Sequence, residues 1–204
     1  CMMHRRDRKT HHTYSMILSH ISVSQEIDRM KDNSIKRVLV LGSGPIRIGQ
    51  AAEFDYAGSQ ACRALKEEDC EVILLNSNPA TIQTDLTVAD IVCIKPLLPE
   101  VVEEVLKEYR PDGVVATLGG QTGLNLCMEC EKRGTWKKYG CKVLGTQPEA
   151  IERAEGREPF RKAMIDAKQP IIASRGISSV AGAQEFAILT PLPLILRPDF
   201  TLGG

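Results

Sequence analysis

The stretch from Arg37 to Gln50 constrains the fold of this chain more than any other. Its sequence is Arg-Val-Leu-Val-Leu-Gly-Ser-Gly-Pro-Ile-Arg-Ile-Gly-Gln. A short apolar run enters a glycine-rich turn, and an amphipathic segment follows, which is the pattern of a buried parallel strand that leads into a helix. In sheets built from such units, ligands bind where the strands end. The sequence therefore directs attention to the turns that follow the strands.

The same alternation of apolar runs and amphipathic segments continues to Gly145. We predict strands at 38–41, 72–75, 91–94, 114–117 and 142–145, and helices at 50–68, 99–109 and 121–132. The strands are continuously apolar, which is typical of strands that are buried on both faces. The predicted fold class is therefore α/β, with a parallel, doubly wound, Rossmann-like sheet and right-handed crossovers.

The two ends of the chain have a different character. Residues 1–34 contain a basic run and few apolar residues, and we interpret them as a flexible leader or linker. Residues 35–150 are predicted to form one domain. Beyond it we predict helices at 149–155, 160–167 and 180–189, a short strand at 171–173 and an edge strand at 192–198. The chain stops in a glycine pair, so 151–204 is interpreted as the start of a second, truncated domain.

The composition excludes several classes of protein. The chain has 26 basic and 26 acidic residues and 4% aromatic residues, which argues against a nucleic-acid partner. No apolar run approaches the roughly 20 residues of a membrane span. An odd number of cysteines, seven, predicts free thiols in a reducing compartment. We therefore predict a cytoplasmic protein, with a mitochondrial one as the alternative because the first residues are basic.

The positions of the histidines and cysteines argue against catalytic triads and metal sites. All four histidines precede residue 21, so the folded body cannot supply a Ser-His-Asp triad or a histidine-ligated metal unless the leader contributes. Cys127 and Cys130 have CxxC spacing but lie inside a helical pattern, with no second pair nearby. We predict no metal ligands and no catalytic residues in this chain.

The first turn resembles a dinucleotide-binding fingerprint only in its position. Arg47 stands where the fingerprint requires glycine, and Asn76 stands where it requires an acidic residue at the end of the second strand. The features that remain are backbone amides at a helix start and the Arg47 cation, which suit a carboxylate or a phosphate. A tight turn with a solvated arginine explains the pattern equally well.

Two further polar turns are predicted to lie at the same edge of the sheet. They are 76–81, after the second strand, and 118–125, after the fourth. Together with the first turn they form a candidate cleft wall or domain interface, for which we select Arg47, Asn76, Asn78 and Gln121. The alternative is ordinary turn chemistry, in which these side chains bond only to the backbone.

Residues 42–58 closely resemble the opening of the large chain of carbamoyl-phosphate synthases. Motifs that are similar to those of the family follow in the same order at 76–85, 110–112 and 118–125. The resemblance covers residues 36–204, and it is to the N-terminal, carboxyphosphate-forming half of that chain. It implies a pre-ATP-grasp domain at 35–150 and the start of an ATP-grasp domain at 151–204.

The resemblance also implies a reaction, its cofactors and its partners. Members of the family make carbamoyl phosphate from bicarbonate, ammonia and two ATP, and a glutaminase subunit or fused domain usually supplies the ammonia. By their place in the motifs, Arg157, Arg197, Gly203 and Gly204 are expected to bind ATP. The Mg²⁺ (or Mn²⁺) ligands are expected beyond residue 204, so the chain alone is predicted not to catalyse the reaction.

Three other functions remain open from the sequence. The chain would also suit another ATP-grasp ligase, such as a biotin-dependent carboxylase, or a non-catalytic module that docks a glutaminase. An NAD enzyme is the third alternative, which the two departures from the fingerprint disfavour. The sequence leaves open whether the product serves pyrimidine or arginine synthesis, and whether the glutaminase is fused.

Overall fold

A computed structural model of the chain describes residues 32–46, 48–190 and 192–197, with side chains from residue 52 onward in the first helix. The chain divides into two units between Lys36 and Arg37. Of the first unit the structure describes only 32–36, where the Ile35 amide donates to the Asp32 carbonyl at 3.1 Å. The second unit contains all the helices and strands described below.

The second unit is built on a five-stranded parallel sheet. Its strands are β1 (Arg37–Leu41), β2 (Glu71–Asn76), β3 (Ile91–Ile94), β4 (Gly113–Val115) and β5 (Lys142–Val143). The spatial order is β3-β2-β1-β4-β5, and each neighbouring pair is parallel. The predicted α/β class is confirmed. The order of strands reverses its direction between β1 and β4, and this is the topological switch point of the sheet.

Seven helices and two 3₁₀ turns complete the described part of the chain. The helices are α1 (Ile48–Glu67), α2 (Pro99–Tyr109), α3 (Gly120–Lys132), α4 (Thr135–Tyr139), α5 (Pro148–Glu155), α6 (Arg157–Asp166) and α7 (Val180–Leu189). The 3₁₀ turns lie at Ile82–Thr84 and Thr117–Gly119. None of the described helices combines the length and the apolar character that a membrane-spanning helix needs.

The core lies on both faces of the sheet because the interior positions of β1, β2 and β3 are apolar. Leu39 and Leu41 point to the face that α2, α3 and α4 cover. Val40 points to the opposite face, which α1 covers through Cys62. Each fully buried aliphatic side chain of this kind stabilises the fold by about 1.5–3 kcal/mol. Burial on two faces is what the doubly wound prediction requires, and it fixes where the strand ends lie.

Carboxylates hold the amino ends of the strands in register. The Asp112 carboxylate accepts the Arg37 amide at 2.9 Å, and the Asp112 carbonyl accepts the Lys142 amide at 2.8 Å, which ties β1 and β5 to the start of β4. The Asp90 carboxylate accepts the Val72 amide of β2 at 2.8 Å. These bonds satisfy backbone donors at the edge opposite to the ligand-binding edge of such sheets.

Asp90 is expected to make the stability of the domain dependent on pH. The hydrogen bond from the Val72 amide, with Lys66 at 3.1 Å as a further partner, lowers the pKa of Asp90. The stabilisation is therefore present above the unfolded pKa and is lost as the pH falls through the folded pKa. We expect Asp90→Asn to lower the free energy of unfolding by about 1 kcal/mol at neutral pH. The loss is no larger because the carboxylate is partly exposed and solvent screens its charge.

Urea unfolding of both proteins between neutral and acidic pH checks this expectation. The difference in unfolding free energy should shrink below about pH 4, where the wild-type carboxylate becomes protonated in the unfolded chain. A difference that stays constant over the whole range would show that the charge of Asp90 plays no part.

Residues beyond α5 differ from the prediction. The strand predicted at 171–173 is wrong, and so is the edge strand over the described residues 192–197. From Glu152 onward no described residue is buried, so an apolar segment has no packed surface or neighbouring strand to join. α5 packs on α3 through Ile151, whereas α6 and α7 contain no buried residue. The predicted domain boundary at residue 150 stays a prediction.

Two smaller differences have local causes. β4 ends at Val115 rather than at Thr117, because the chain turns into the 3₁₀ turn there. The short helix α4 was not predicted, since glycines with positive φ, Gly134 and Gly140, flank it and resemble two separate turns. Its Trp136 indole donates to the Cys127 carbonyl at 3.1 Å, which satisfies the buried ring nitrogen.

Candidate functional site

Three loops meet at the carboxyl edge of the sheet, and we call them the carboxyl-edge loops. They are 42–46 after β1, 76–85 after β2 and 116–120 after β4. The first and the third flank the crevice at the switch point between β1 and β4, which is where open parallel sheets bind ligands. The candidate site is therefore this crevice and the loops around it.

Asn76 holds the first two loops together from inside the domain. It is fully buried, and its Oδ1 accepts the amides of Gly44 at 3.2 Å and Asn78 at 3.0 Å. Its Nδ2 donates to the Gln83 Oε1 at 3.2 Å. The Asn76 side chain, which we selected as a cleft residue, thus makes these hydrogen bonds to groups within the chain.

Gln83 extends this network to helix α1. Its side chain is fully buried, and its Nε2 donates to the Phe54 carbonyl at 2.8 Å. Its own amide donates to the Thr81 hydroxyl, at 3.2 Å, at the start of the 3₁₀ turn. The sequence analysis did not select Gln83, because nothing in its position distinguishes a buried glutamine from an exposed one.

Three glycines are required where these loops approach other groups. A Cβ on Gly42 would lie 2.6 Å from the Asn76 Nδ2, and one on Gly58 would lie 2.7 Å from the Gln83 Nε2. A Cβ on Gly119 would lie 2.6 Å from the carbonyl oxygens of Leu41 and Gly42. Close packing thus accounts for these glycines without a bound nucleotide.

Two polar features occur at the crevice, the Ser43 hydroxyl of the first loop and the start of helix α3 at the third loop. The Ser43 hydroxyl in the first loop is buried, and it has no hydrogen-bond partner within the described part of the chain. Helix α3 begins at the third loop with no side-chain cap and no acidic residue in its first turn. Its free amides and the positive end of its dipole favour an anion over a cation.

The comparison with protein families now decides the identity. Residues 34–153 match the family described as the carbamoyl phosphate synthase preATP-grasp domain. This chain belongs to that family. The match covers the whole five-stranded sheet and all three carboxyl-edge loops, and it confirms the resemblance that the motifs suggested.

Curated relatives of the carbamoyl phosphate synthase family agree with this assignment. The large chain from Methanothrix thermoacetophila is 52% identical over 174 residues, which are 85% of this chain and 16% of the relative. The arginine-specific large chain from Bacillus subtilis is 53% identical over 174 residues, which are 85% of this chain and 17% of the relative. The chain thus spans about a sixth of the length of these relatives.

Solved structures agree on the fold. The biotin carboxylase domain of a single-chain bacterial carboxylase has a TM-score of 0.54 at 15% identity, over 76% of this chain and 34% of that one. The biotin carboxylase domain of the Hydrogenobacter thermophilus 2-oxoglutarate carboxylase has a TM-score of 0.56 at 19% identity, over 78% and 34%. At these identities the likeness shows the fold alone. The structural likeness therefore does not favour a biotin-dependent carboxylase over the carbamoyl phosphate synthase family.

The structure places Asn78 and Gln121, two of the other predicted cleft residues, at or near the same edge. Asn78 is half-buried, and its Oδ1 accepts the Ala80 amide at 3.0 Å. Gln121 is half-buried in the first turn of α3 and donates to the Asn125 Oδ1 at 3.0 Å. Arg47 lies outside the described residues. The interpretation of these residues as a cleft wall stays a prediction.

The two predicted ATP-binding residues that the structure describes, Arg157 and Arg197, lie outside the carboxyl-edge loops. Arg157 is half-buried at the start of α6, and Arg197 is exposed in the segment 192–197. Gly203 and Gly204 lie outside the described residues. Their assignment to ATP rests on the motifs of the carbamoyl phosphate synthase family and stays a prediction. No group of three or more His, Cys, Asp or Glu residues suited to a metal occurs in the part of the chain that the structure describes.

The six described cysteines are expected to divide into one reactive thiol and five protected ones. Cys70 is half-buried, whereas the other five described cysteines are buried and free. Burial raises the pKa of Cys62 and Cys127 to about 11, and that of Cys130 and Cys141 to about 12. Thiolates are the reactive form, so these thiols are expected to be inert in the folded protein at neutral pH.

Titration with Ellman's reagent checks this division. Among the described cysteines, Cys70 should react in the native protein, and the other five should react only after denaturation. A Cys70→Ser variant should lose one native thiol equivalent and keep the five that denaturation exposes. Rapid native reaction of the Cys127–Cys130 pair would contradict the burial of that helix face.

Proposed function

We propose that this chain supplies the pre-ATP-grasp domain, and the first part of the ATP-grasp domain, of an enzyme that makes carbamoyl phosphate. The observation that carries the proposal is 52–53% identity over 174 residues to synthase large chains. That span includes the three carboxyl-edge loops with the close glycine contacts that their geometry requires. The reaction would use bicarbonate, ammonia and two ATP, and this half would form carboxyphosphate.

The proposed cofactors are ATP and Mg²⁺ (or Mn²⁺). Arg157 and Arg197 offer cations, and Gly203 and Gly204 offer backbone amides, which are the groups that bind phosphate oxygens. The phosphoryl group passes to bicarbonate when ATP is bound, and the chain's own part is to orient the phosphates and neutralise their charge. The described residues hold no cluster of three or more side chains suited to a metal.

The proposed partner is a glutaminase, as a separate subunit or a fused domain, which supplies ammonia. The proposed compartment is the cytoplasm, with the mitochondrion as the alternative. The five buried cysteines of the described residues are free thiols, which supports a reducing compartment for this protein.

The chain by itself is expected not to turn over ATP. Phosphoryl transfer needs metal ions that neutralise the developing charge, and the described residues provide no metal cluster. Release of phosphate from ATP by the 204-residue chain, measured with and without bicarbonate, should give the same background rate in both cases. Bicarbonate-dependent turnover would contradict the expectation, and it would show that the chain is catalytic alone.

A hybrid enzyme tests the proposed function. Residues 34–153 of this chain replace the matching segment of the Bacillus subtilis arginine-specific large chain, which is 53% identical over the aligned region. The hybrid should form carbamoyl phosphate from ammonia, bicarbonate and ATP. A hybrid that folds and binds ATP but forms no carbamoyl phosphate would overturn the proposal. The unaltered Bacillus subtilis chain is the control.

A further inference from the structure

A line of contacts runs through the interior of the domain and joins the three carboxyl-edge loops. It begins at the Gly44 amide, which donates to Asn76, and it continues through the amide pair of Asn76 and Gln83. From Gln83 it passes to the Phe54 carbonyl of α1. The Phe54 ring lies against Gly120 of the third loop, where an added Cβ would be 3.0 Å from the ring.

The two buried amides at the centre of this line, Asn76 and Gln83, are held in place for a physical reason. Asn76 and Gln83 are fully buried, so no solvent replaces their hydrogen bonds when one of them breaks. Gly42 and Gly58 pack against these two amides with no room for a Cβ, so neither amide has space to rotate away. Packed, fully bonded groups of this kind transmit a displacement rather than absorb it.

Gln83 occupies the centre of the line. One end of its side chain accepts from Asn76, which holds the first loop, and the other end donates to α1, which supports the third. The first and third loops flank the crevice between β1 and β4, where the order of strands reverses. The buried Ser43 hydroxyl lies in the first of them and lacks a partner among the described residues.

We propose that Gln83 is a positioning residue, which sets the relative placement of the two loops at the switch-point crevice without contacting a ligand itself. The inference rests on the proposed function for its link to catalysis, and on the contacts above for the coupling of the loops. It predicts that an isosteric apolar side chain at position 83 releases both loops together. The amino edge of the sheet, 37 and 112 included, lies outside the line of contacts and provides the control.

Hydrogen exchange on the full chain tests the coupling. In a Gln83→Met variant the amides of Gly44 and Gly119 should exchange about 10-fold faster or more than expected from the loss in global stability. An Asp112→Ala variant, which removes a carboxylate from the amino edge, should show only the global effect. If the Gly44 and Gly119 amides exchange as fast in Asp112→Ala as in Gln83→Met, at matched stability, the proposal is overturned.

A second variant keeps the test decisive if Gln83→Met does not fold. Phe54→Leu keeps the backbone carbonyl that Gln83 bonds and removes only the ring contact with Gly120. It should accelerate exchange at Gly119 and leave the Gly44 amide unchanged. Faster exchange at Gly44 alone, or at neither amide, would show that the line of contacts does not carry the coupling.

The hybrid synthase provides the functional readout. Gln83→Met in the hybrid should lower kcat for bicarbonate-dependent ATP hydrolysis about 10-fold and leave KM for ATP unchanged, because the predicted ATP residues lie elsewhere. Asp112→Ala should leave kcat unchanged. If both variants lower kcat equally, Gln83 has only a structural role. An inactive unsubstituted hybrid overturns the proposed function instead, and the exchange experiment then decides on Gln83 alone.

Discussion

Replacing Gly119 by alanine is expected to lower the free energy of unfolding by about 3 kcal/mol. Gly119 has φ −91° and ψ 14°, which other residues adopt readily, so the effect is steric rather than conformational. The new Cβ would meet the carbonyl oxygens of Leu41 and Gly42 at 2.6 Å. Leu41 ends strand β1 and Gly42 follows it directly, and both residues are buried, so these carbonyl groups have little freedom to move aside.

Chemical denaturation measures this loss, and Gly182→Ala is the matched control. Gly182 lies in the first turns of α7, and an added Cβ would approach the Ser179 hydroxyl no closer than 3.3 Å. Alanine is the better helix former, so this substitution should not lower stability. If Gly119→Ala is tolerated as well as Gly182→Ala, the third loop does not pack on the end of β1 as described.

Replacing Asn76 by leucine, which has a similar shape, is also expected to cost about 3 kcal/mol. The substitution leaves the Gly44 amide and the side-chain Oε1 of Gln83 buried without the partner that Asn76 provides. An unsatisfied buried group costs far more than the net value of the bond that it made. The loss should appear as a lower denaturation midpoint with an unchanged m value.

The same substitution at Asn78 is the control for this prediction. Asn78 is half-buried and its side chain accepts only the exposed Ala80 amide, to which water has access. Asn78→Leu should therefore cost no more than about 1 kcal/mol. Equal losses at the two positions would mean that burial of the Asn76 amide does not determine its contribution.

The sheet was predictable because the interior positions of its central strands are continuously apolar. Val38–Leu41 and Ile91–Ile94 have no polar residue, and a strand buried on both faces needs none. The segments at 171–173 and 192–196 are also apolar, yet they form no strand in the described structure. A strand depends on a neighbour and a packed face, which a local pattern does not reveal.

The site was predictable in its location and less so in its chemistry. The turns after β1, β2 and β4 do meet at one edge, as parallel topology requires. Alternation along β2 places Asn76 on the same face as Val72 and Leu74, which α1 covers, so parity along the strand indicates an inward side chain. Gln83 gave no such signal, because its burial depends on the path of a loop rather than on a repeating pattern.

Bicarbonate-dependent ATP hydrolysis by the hybrid large chain tests the account most directly. With residues 34–153 in place, the hybrid should hydrolyse ATP only when bicarbonate is present, at a rate within about 10-fold of the Bacillus subtilis parent. The same hybrid with Gly119→Ala should lose this activity together with its stability. A stable hybrid whose ATP hydrolysis ignores bicarbonate, or is absent, would contradict the assignment of this chain to carbamoyl phosphate synthesis.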